Sequence, residues 1–177
     1  MLLHDHTTQR LRFRNVELAD AGAWEEFISD QNAMKFLAPV TDVKQAAIDW
    51  MEKSLARYSK DGFGLYALIE KKSGEFIGLC GLMIQEVDGI RELEIGYHLL
   101  PRFWKQGYAG EAAIASRNFV FENHLADSVI SIIVPENFPS QKVAQKNGMK
   151  KERETEWRGT KVFIYRITRD EWMKLKG

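Results

Sequence analysis

The segment Glu92 to Glu111, ELEIGYHLLPRFWKQGYAGE, holds the residues whose order could do chemistry: a strand pattern runs straight into a glycine-containing turn and then a helix. At such a junction the first backbone N–H groups of the helix lack intrahelical acceptors, and the macrodipole adds partial positive charge. Here the N–H groups from Lys105 to Gly110 would point out of the helix start. Gly107, Ala109 and Gly110 leave room for a phosphate to touch the main chain, and Arg102 and Lys105 add local countercharge. The predicted chemistry is the binding of a phosphorylated ligand, although the same residues also fit a plain glycine-eased turn with solvated basic side chains. Two nucleotide-binding patterns fail on this segment. No G-x-x-x-x-G-K-[ST] string occurs. A dinucleotide fingerprint needs G-x-G-x-x-G and an acid at the end of the next strand. Gly107-Tyr108-Ala109-Gly110 breaks that glycine pattern, and Asp127 precedes the strand formers Val129 to Val134.

The elements that must position this junction can be read from periodicity. A short strand is expected at Leu11 to Asn15, then a helix capped by Asp20 that carries Trp24, Phe27 and Ile28 inward. A longer helix runs from about Val43 to Lys60, with Asp42 as N-cap and Gly62 as terminator. Leu65 to Glu70, Phe76 to Gln85 and Glu92 to Leu100 form an antiparallel meander through the turns Lys72-Ser73-Gly74 and Asp88-Gly89. A helix follows from about Gly107 to His124, then a buried strand Val129 to Val134, a helix Pro139 to Asn147, and two strands, Lys150 to Trp157 and Lys161 to Thr168. The fold class is α+β: a mixed, mostly antiparallel central sheet of six to seven strands with about four flanking helices.

Composition sets the outer limits. The 177 residues, 45% apolar and 28% charged, fit one domain, 1–177, with residues 1–8 expected as a flexible tail. Lys plus Arg and Asp plus Glu both count 25, so there is no basic excess for general nucleic-acid binding. The apolar run Phe76 to Ile84 is far too short to cross a membrane, and the start shows no signal-peptide pattern. The single cysteine, Cys80, cannot form an intrachain disulfide, and no His and Cys residues stand at zinc-ligand spacing. The expectation is a cytoplasmic protein with no metal, no nucleic-acid partner and no membrane partner. His4-Asp5-His6 reads as tail rather than as a metal site.

Three motifs in order resemble the acyl-CoA site of the GNAT N-acetyltransferase superfamily, in its ribosomal-protein N-terminal acetyltransferase (RimJ/RimL-like) branch. Trp104-Lys105-Gln106-Gly107-Tyr108-Ala109 is similar to the Q/R-x-x-G-x-G/A turn, and Gly110-Glu111-Ala112 follows where the branch has T-E-A. Glu94-Ile95-Gly96-Tyr97 resembles the E-I-G-Y strand. Asn137, Ser140, Val143, Lys146, Gly148 and Met149 resemble N-x-x-S-x-x-V-x-x-K-x-G-F/M. The likeness spans Leu11 to Thr168, and it implies acetyl-CoA as co-substrate. It further implies that Leu99 and Leu100 offer backbone groups to the pantetheine arm, and that Gln106, Gly107, Tyr108, Ala109 and Gly110, beside Lys105, hold the pyrophosphate. Asn137 and Ser140 would touch pantetheine and thioester, and Lys142 or Lys146 the 3′-phosphate. Trp104, Lys105 and Gly110 depart from the usual motif residues. Ala144 stands where many members carry a tyrosine acid, which leaves thiolate protonation to Ser140, a water, or no group at all.

Acetyl transfer needs a neutral amine, and a lysine-like amine is neutral only about once in 2,500 at pH 7. A base is therefore wanted. Strand alternation puts Leu93, Ile95 and Tyr97 on one face and Glu92, Glu94, Gly96 and His98 on the other. The resemblance makes Glu94 the first candidate base, because it stands at the acid of the E-I-G-Y strand and upstream of the pantetheine residues; a solvated strand carboxylate is its alternative. His98 titrates in a suitable range but serves equally as a packed structural histidine. Glu152, Glu154 and Glu156 alternate as an outer, solvated face would. Cys80 reads as packing in a strand. The acceptor wall is expected from Gln31 to Thr41, with Met34, Phe36 and Leu37, and from Trp157. The resemblance thus implies an N-acetyltransferase that moves an acetyl group from acetyl-CoA to a primary amine by direct attack in a ternary complex. Backbone N–H near Leu99 would steady the oxyanion, and a homodimer is compatible. The rival is an acyl-CoA-binding sensor without turnover.

Overall fold

The computed structural model of the chain describes residues 3–176. A seven-stranded sheet runs in the order β1-β2-β3-β4-β5-β7-β6. Its strands are β1 (Leu11–Arg14), β2 (Leu65–Glu70), β3 (Phe76–Val87), β4 (Ile90–Leu99), β5 (Ser128–Ile133), β6 (Lys150–Trp157) and β7 (Thr160–Thr168). Every neighbouring pair is antiparallel except β4 and β5, which meet in parallel. Six α-helices flank it among the described residues: α1 (Asp20–Ser29), α2 (Gln31–Met34), α3 (Val43–Asp61), α4 (Tyr108–Glu122), α5 (Phe138–Lys146) and α6 (Arg169–Lys176).

Period-2 alternation divides the core in two. Leu65, Ala67, Leu79 and Met83 turn to one face and pack with Trp24, Phe27, Ala47 and Met51 of α1 and α3. Tyr66, Leu68, Cys80, Leu82 and Ile95 turn to the other, against Ala112, Phe119 and Val120 of α4, Ala144 of α5 and Trp172 of α6. Both faces of β2 are buried along its whole length, as the apolar run Leu65 to Ile69 requires, and Glu70 at its end accepts from the Ser73 N–H at 2.6 Å. Among the described residues no helix is long and apolar enough to cross a membrane.

Several local expectations are corrected. Asp20 is not a cap: its carboxylate pairs with Arg14 at 2.6 Å and accepts from the Glu17 N–H at 2.8 Å. Residues 3–8 are packed rather than tail-like: Leu3 is 1% exposed, and the Phe13 N–H donates to the His6 carbonyl at 2.9 Å. Met1 and Leu2 lie outside the described residues. The linker expected without structure contains α2, a single turn capped by the Asp30 carboxylate. The C-terminal α6, absent from the expected set, packs on the sheet through Trp172. The caps of α3 are as expected: Asp42 accepts from the Gln45 N–H at 2.9 Å, and Gly62, at φ +80°, closes the helix.

Candidate active site

The site is built on the one place where the sheet comes apart. β4 and β5 share a single register pair, Glu94 with Ile130, before they diverge. Beyond it the Ser131 hydroxyl donates to the Ile95 carbonyl at 2.9 Å, so a side chain stands where a ladder bond would be. Further along β4 the Leu100 N–H bonds the Ile77 carbonyl of β3 at 2.9 Å. By antiparallel alternation, the backbone groups of Tyr97 and Leu99 therefore face away from β3, into the gap. The Leu99 carbonyl is occupied by the Trp104 indole N–H at 2.7 Å, which leaves the Leu99 N–H directed into the cleft. At Leu100, the other residue expected at the pantetheine arm, the N–H goes to Ile77, the carbonyl accepts from the Phe103 N–H, and the side chain is fully buried.

The glycine turn closes one end of the gap. Gly107 adopts φ +85° and precedes α4, whose first helical bond runs from the Glu111 N–H to the Gly107 carbonyl. The N–H groups of Tyr108, Ala109 and Gly110 lie ahead of that bond, and Lys105 enters the turn at φ +59°. Arg10 locks the turn from behind. Its guanidinium donates to the Gln106 carbonyl at 2.9 Å, pairs with Glu111 at 2.6 Å and lies 4.3 Å from the Tyr108 ring centre. Burial pushes the Glu111 carboxyl up, but hydrogen bonds from Thr8 and Arg10 outweigh it and hold the group below the usual range. The Gln106 side chain turns back to the Arg102 carbonyl at 2.9 Å, which leaves its main chain to the turn. The main cleft, of about 660 Å³, runs from Gly107, Ala109 and Gly110 through the gap to Glu94 and His98. A second depression, bordered by Thr8 and Glu111, meets it at Gly107, Gly110 and Lys146. Backbone donors, a glycine at positive φ and the rim lysines Lys105, Lys142 and Lys146 fit the pyrophosphate and 3′-phosphate of a CoA ester.

Across the gap, Asn137 caps α5 by accepting from the Ser140 N–H at 3.2 Å. The Tyr97 hydroxyl reaches over from β4 to the Ser140 carbonyl at 2.9 Å and the Ser140 hydroxyl at 3.0 Å. Burial raises the Tyr97 pKa well above that of an ordinary phenol, with the bond to Ser140 opposing, so the group keeps its proton. Sequence reasoning placed Tyr97 on the correct face but gave it no role. The available signal was the odd-numbered alternation that sends its phenol toward α5. Ala144 is fully buried and carries no hydroxyl, so Tyr97 and Ser140 are the hydroxyl groups at this point of the cleft.

Glu94 projects to the α1–α3 side and is 8% exposed. Burial raises its pKa, while a 2.8 Å bond from the Gln85 amide and a long contact from the Ile132 N–H oppose the shift. His98, on the same face, stands edge-on to Trp50 at 4.9 Å and to Phe27 at 5.7 Å, and burial pushes its pKa down to about 4. An imidazole that stays neutral through the physiological range is an aromatic wall here, not a titrating base.

The remaining candidates go elsewhere. Glu152 pairs with Arg153 and Arg166, and Glu154 with Lys161, all on the outer hairpin. Trp157 does not line the cleft; its indole donates to the Glu86 carbonyl at 3.0 Å and Arg158 covers its ring. Phe36 and Leu37 do line it, as expected of the α1–α3 linker, whereas Met34 packs into the core beside it. Cys80 lies fully buried 3.5 Å from the Ser116 hydroxyl, with its thiol pushed up to about 12. Among the described residues no group of three His, Cys, Asp or Glu could hold a metal ion.

The sequence and the fold match a known class. Residues 10–150 fit the family model of the acetyltransferase (GNAT) domain, and the chain belongs to that family. It is 33% identical over 149 residues to an uncharacterised N-acetyltransferase, p20, of Bacillus licheniformis, covering 82% of each chain. A GNAT-family acetyltransferase from Bacillus anthracis superposes with a TM-score of 0.76 at 24% identity, over 93% of this chain and 98% of that one. The ribosomal L7/L12 alpha-N-protein acetyltransferase RimL, solved in complex with coenzyme A, superposes with a TM-score of 0.73 at 17% identity, over 93% and 97%. The mixed α+β sheet is thus the GNAT fold, and the family is one of acetyl-CoA-dependent acetyl transfer.

Proposed function

We propose that the chain is an acetyl-CoA-dependent N-acetyltransferase that acts on a primary amine by direct attack in a ternary complex, with Glu94 as base and Ser140 as acid. The observation that carries this reading is the single cleft in which Glu94, the Leu99 N–H, the Ser140 hydroxyl and the Gly107 turn all meet. Bound acetyl-CoA supplies a thioester whose carbonyl carbon takes the amine nitrogen. The chain's own groups then manage charge and protons. The N–H groups of Tyr108, Ala109 and Gly110, with Lys105, Lys142 and Lys146 around them, hold the phosphates. The Leu99 N–H, facing the gap, steadies the oxyanion.

Glu94 receives the amine proton, directly or through one water. Its raised pKa brings it closer to the acidity of an amine than an exposed carboxylate would be, which eases that transfer. As the C–S bond breaks, the Ser140 O–H gives its proton to the sulfur and is reprotonated from solvent, to which Glu94 returns the amine proton; Tyr97 keeps its own proton and holds Ser140 in place through the contacts to its carbonyl and hydroxyl. This pair answers the main support for a sensor without turnover, the missing hydroxyl at Ala144. Cys80, with its thiol held protonated in the core, takes no part, so no acetyl-cysteine is formed. Glu94-Ile95-Gly96-Tyr97 and the Asn137 to Met149 stretch support a place beside the ribosomal-protein N-terminal branch by descent. A lone, buried and unreactive cysteine is consistent with a cytoplasmic enzyme.

The test is CoA release from acetyl-CoA with the full chain, measured across monoamines, polyamines, aminoglycosides, amino acids and N-terminal peptides, beside calorimetric acetyl-CoA binding. One acceptor that raises release well above hydrolysis supports the reading. Tight acetyl-CoA binding with no responsive acceptor supports the sensor, and no binding at all contradicts the assignment of the Gly107 turn.

A further inference from the structure

The acceptor end of the cleft has a composition that narrows the amine, given the transferase reading above on which this inference rests. Phe27, Phe36, Leu37, Met83 and the edge-held His98 ring form its walls. Its floor holds one buried carboxylate, Glu94. At its mouth stands the exposed Lys35, and the neutral polar side chain on this stretch is Asn32, also exposed. The other carboxylate of the cleft, Glu136, is exposed on the opposite lip beside Asn137, at the co-substrate end. Arg57 and Arg158 both act electrostatically on Glu94, and Arg158 reaches it through Gln85, whose amide oxygen lies 3.4 Å from the guanidinium.

One floor carboxylate can neutralise one ammonium. A second ammonium on the same molecule would lie against apolar walls or beside Lys35, with no acid to pair it, and a desolvated or like-charged cation is strongly disfavoured. A peptide brings an N–H and a C=O with every residue, and burying these without partners also costs binding energy. Asn32 alone cannot satisfy a chain of them. The aromatic walls, in turn, match a flat or bulky apolar group by area and by ring geometry.

We propose that the acceptor is a small primary monoamine, with one ammonium on an apolar, aromatic-sized body, and that polyamines, aminoglycosides and peptide N-termini are selected against by the charge and the apolar walls of this end of the cleft. The chemistry fits arylalkylamines best.

The experiment compares kcat/KM for 2-phenylethylamine, spermidine, kanamycin and alanine- or serine-initiated hexapeptides at saturating acetyl-CoA. Calorimetric titration of each amine into the CoA-saturated protein runs alongside. The expected result is a preference for 2-phenylethylamine on the order of 100-fold over spermidine. Lys35→Glu should narrow that ratio about tenfold, because it exchanges a repelling charge for an attracting one. Preferred turnover of spermidine, kanamycin or a peptide overturns the monoamine class and leaves the transferase intact. Binding of 2-phenylethylamine to the CoA-loaded protein without turnover upholds the class and removes the catalytic reading. The absence of both binding and turnover of 2-phenylethylamine overturns the proposal, whatever else the enzyme acetylates.

Discussion

The two ends of the cleft are made of different materials. The co-substrate end is main chain: the Leu99 N–H, the start of α4 and a glycine at φ +85°, locked by Arg10. The acceptor end is side chain: Glu94 and His98 from alternate positions of β4, and Phe27, Phe36 and Leu37 from α1 and the linker after it. β4 serves both, because its odd-numbered backbone groups face the gap while its even-numbered side chains face α1 and α3. A site assembled from backbone tolerates side-chain change and fails on conformational change. One assembled from side chains behaves in the opposite way, so substitutions should separate the two ends cleanly.

The largest effect is expected at the acceptor end. Glu94→Gln removes the base but keeps the shape and the Gln85 contact, and kcat/KM should fall on the order of 100- to 1,000-fold with acetyl-CoA affinity unchanged. Calorimetry beside steady-state kinetics checks both halves. The same variant should fold at least as stably as the wild type at pH 8. The raised carboxyl pKa means that ionisation opposes folding, and this cost grows as pH rises through the folded pKa. Chemical denaturation at pH 8 tests the sign.

At the co-substrate end, Gly107→Val places a β-branched residue at positive φ, where a penalty of about 1–3 kcal/mol applies. The KM for acetyl-CoA should rise on the order of tenfold or more, with the acceptor preference unaltered. Between the ends, Tyr97→Phe deletes the hydroxyl that holds Ser140 and should lower kcat about tenfold while KM for acetyl-CoA stays within about twofold. In a Ser140→Ala background the same change should have almost no effect, since Tyr97 acts through Ser140.

The smallest effect concerns stability and not turnover. His98 titrates near 6.5 when unfolded and near 4 when folded, so stability is present above pH 6.5 and drains away as pH falls toward 4. His98→Phe should flatten the fall in melting temperature between those pH values by a few degrees, as a thermal unfolding series would show.

How much was legible beforehand follows the same division. The Gly107 turn was visible because backbone sites leave glycines and an apolar strand next to each other in sequence. Glu94 was visible because it stands at the acid of the E-I-G-Y motif, and strand alternation then gives its face. The Tyr97–Ser140 contact was not, since it joins residues 43 apart through a gap that only tertiary divergence of β4 and β5 opens. The difference between Leu99 and Leu100 was hidden for a related reason: both came from the resemblance, and whether a strand end faces its neighbour or the gap depends on hydrogen-bond phase, which a motif does not report. The short α2 left no trace because four residues cannot show a 3.6-residue repeat. The Asp20 cap failed because Arg14, across the turn from β1, offers the carboxylate a stronger partner than a helix N–H.

The central claim is that Glu94, buried at the acceptor end, takes the amine proton while the backbone end holds the co-substrate. The most direct measurement is the pH dependence of kcat/KM for wild type and Glu94→Gln with one responsive monoamine. The account predicts an acid limb in the wild type above the usual carboxylate range, because burial raises the Glu94 pKa, and its loss in the variant together with the fall in rate. An acid limb of the same midpoint in Glu94→Gln, at a rate within about threefold of wild type, would contradict it.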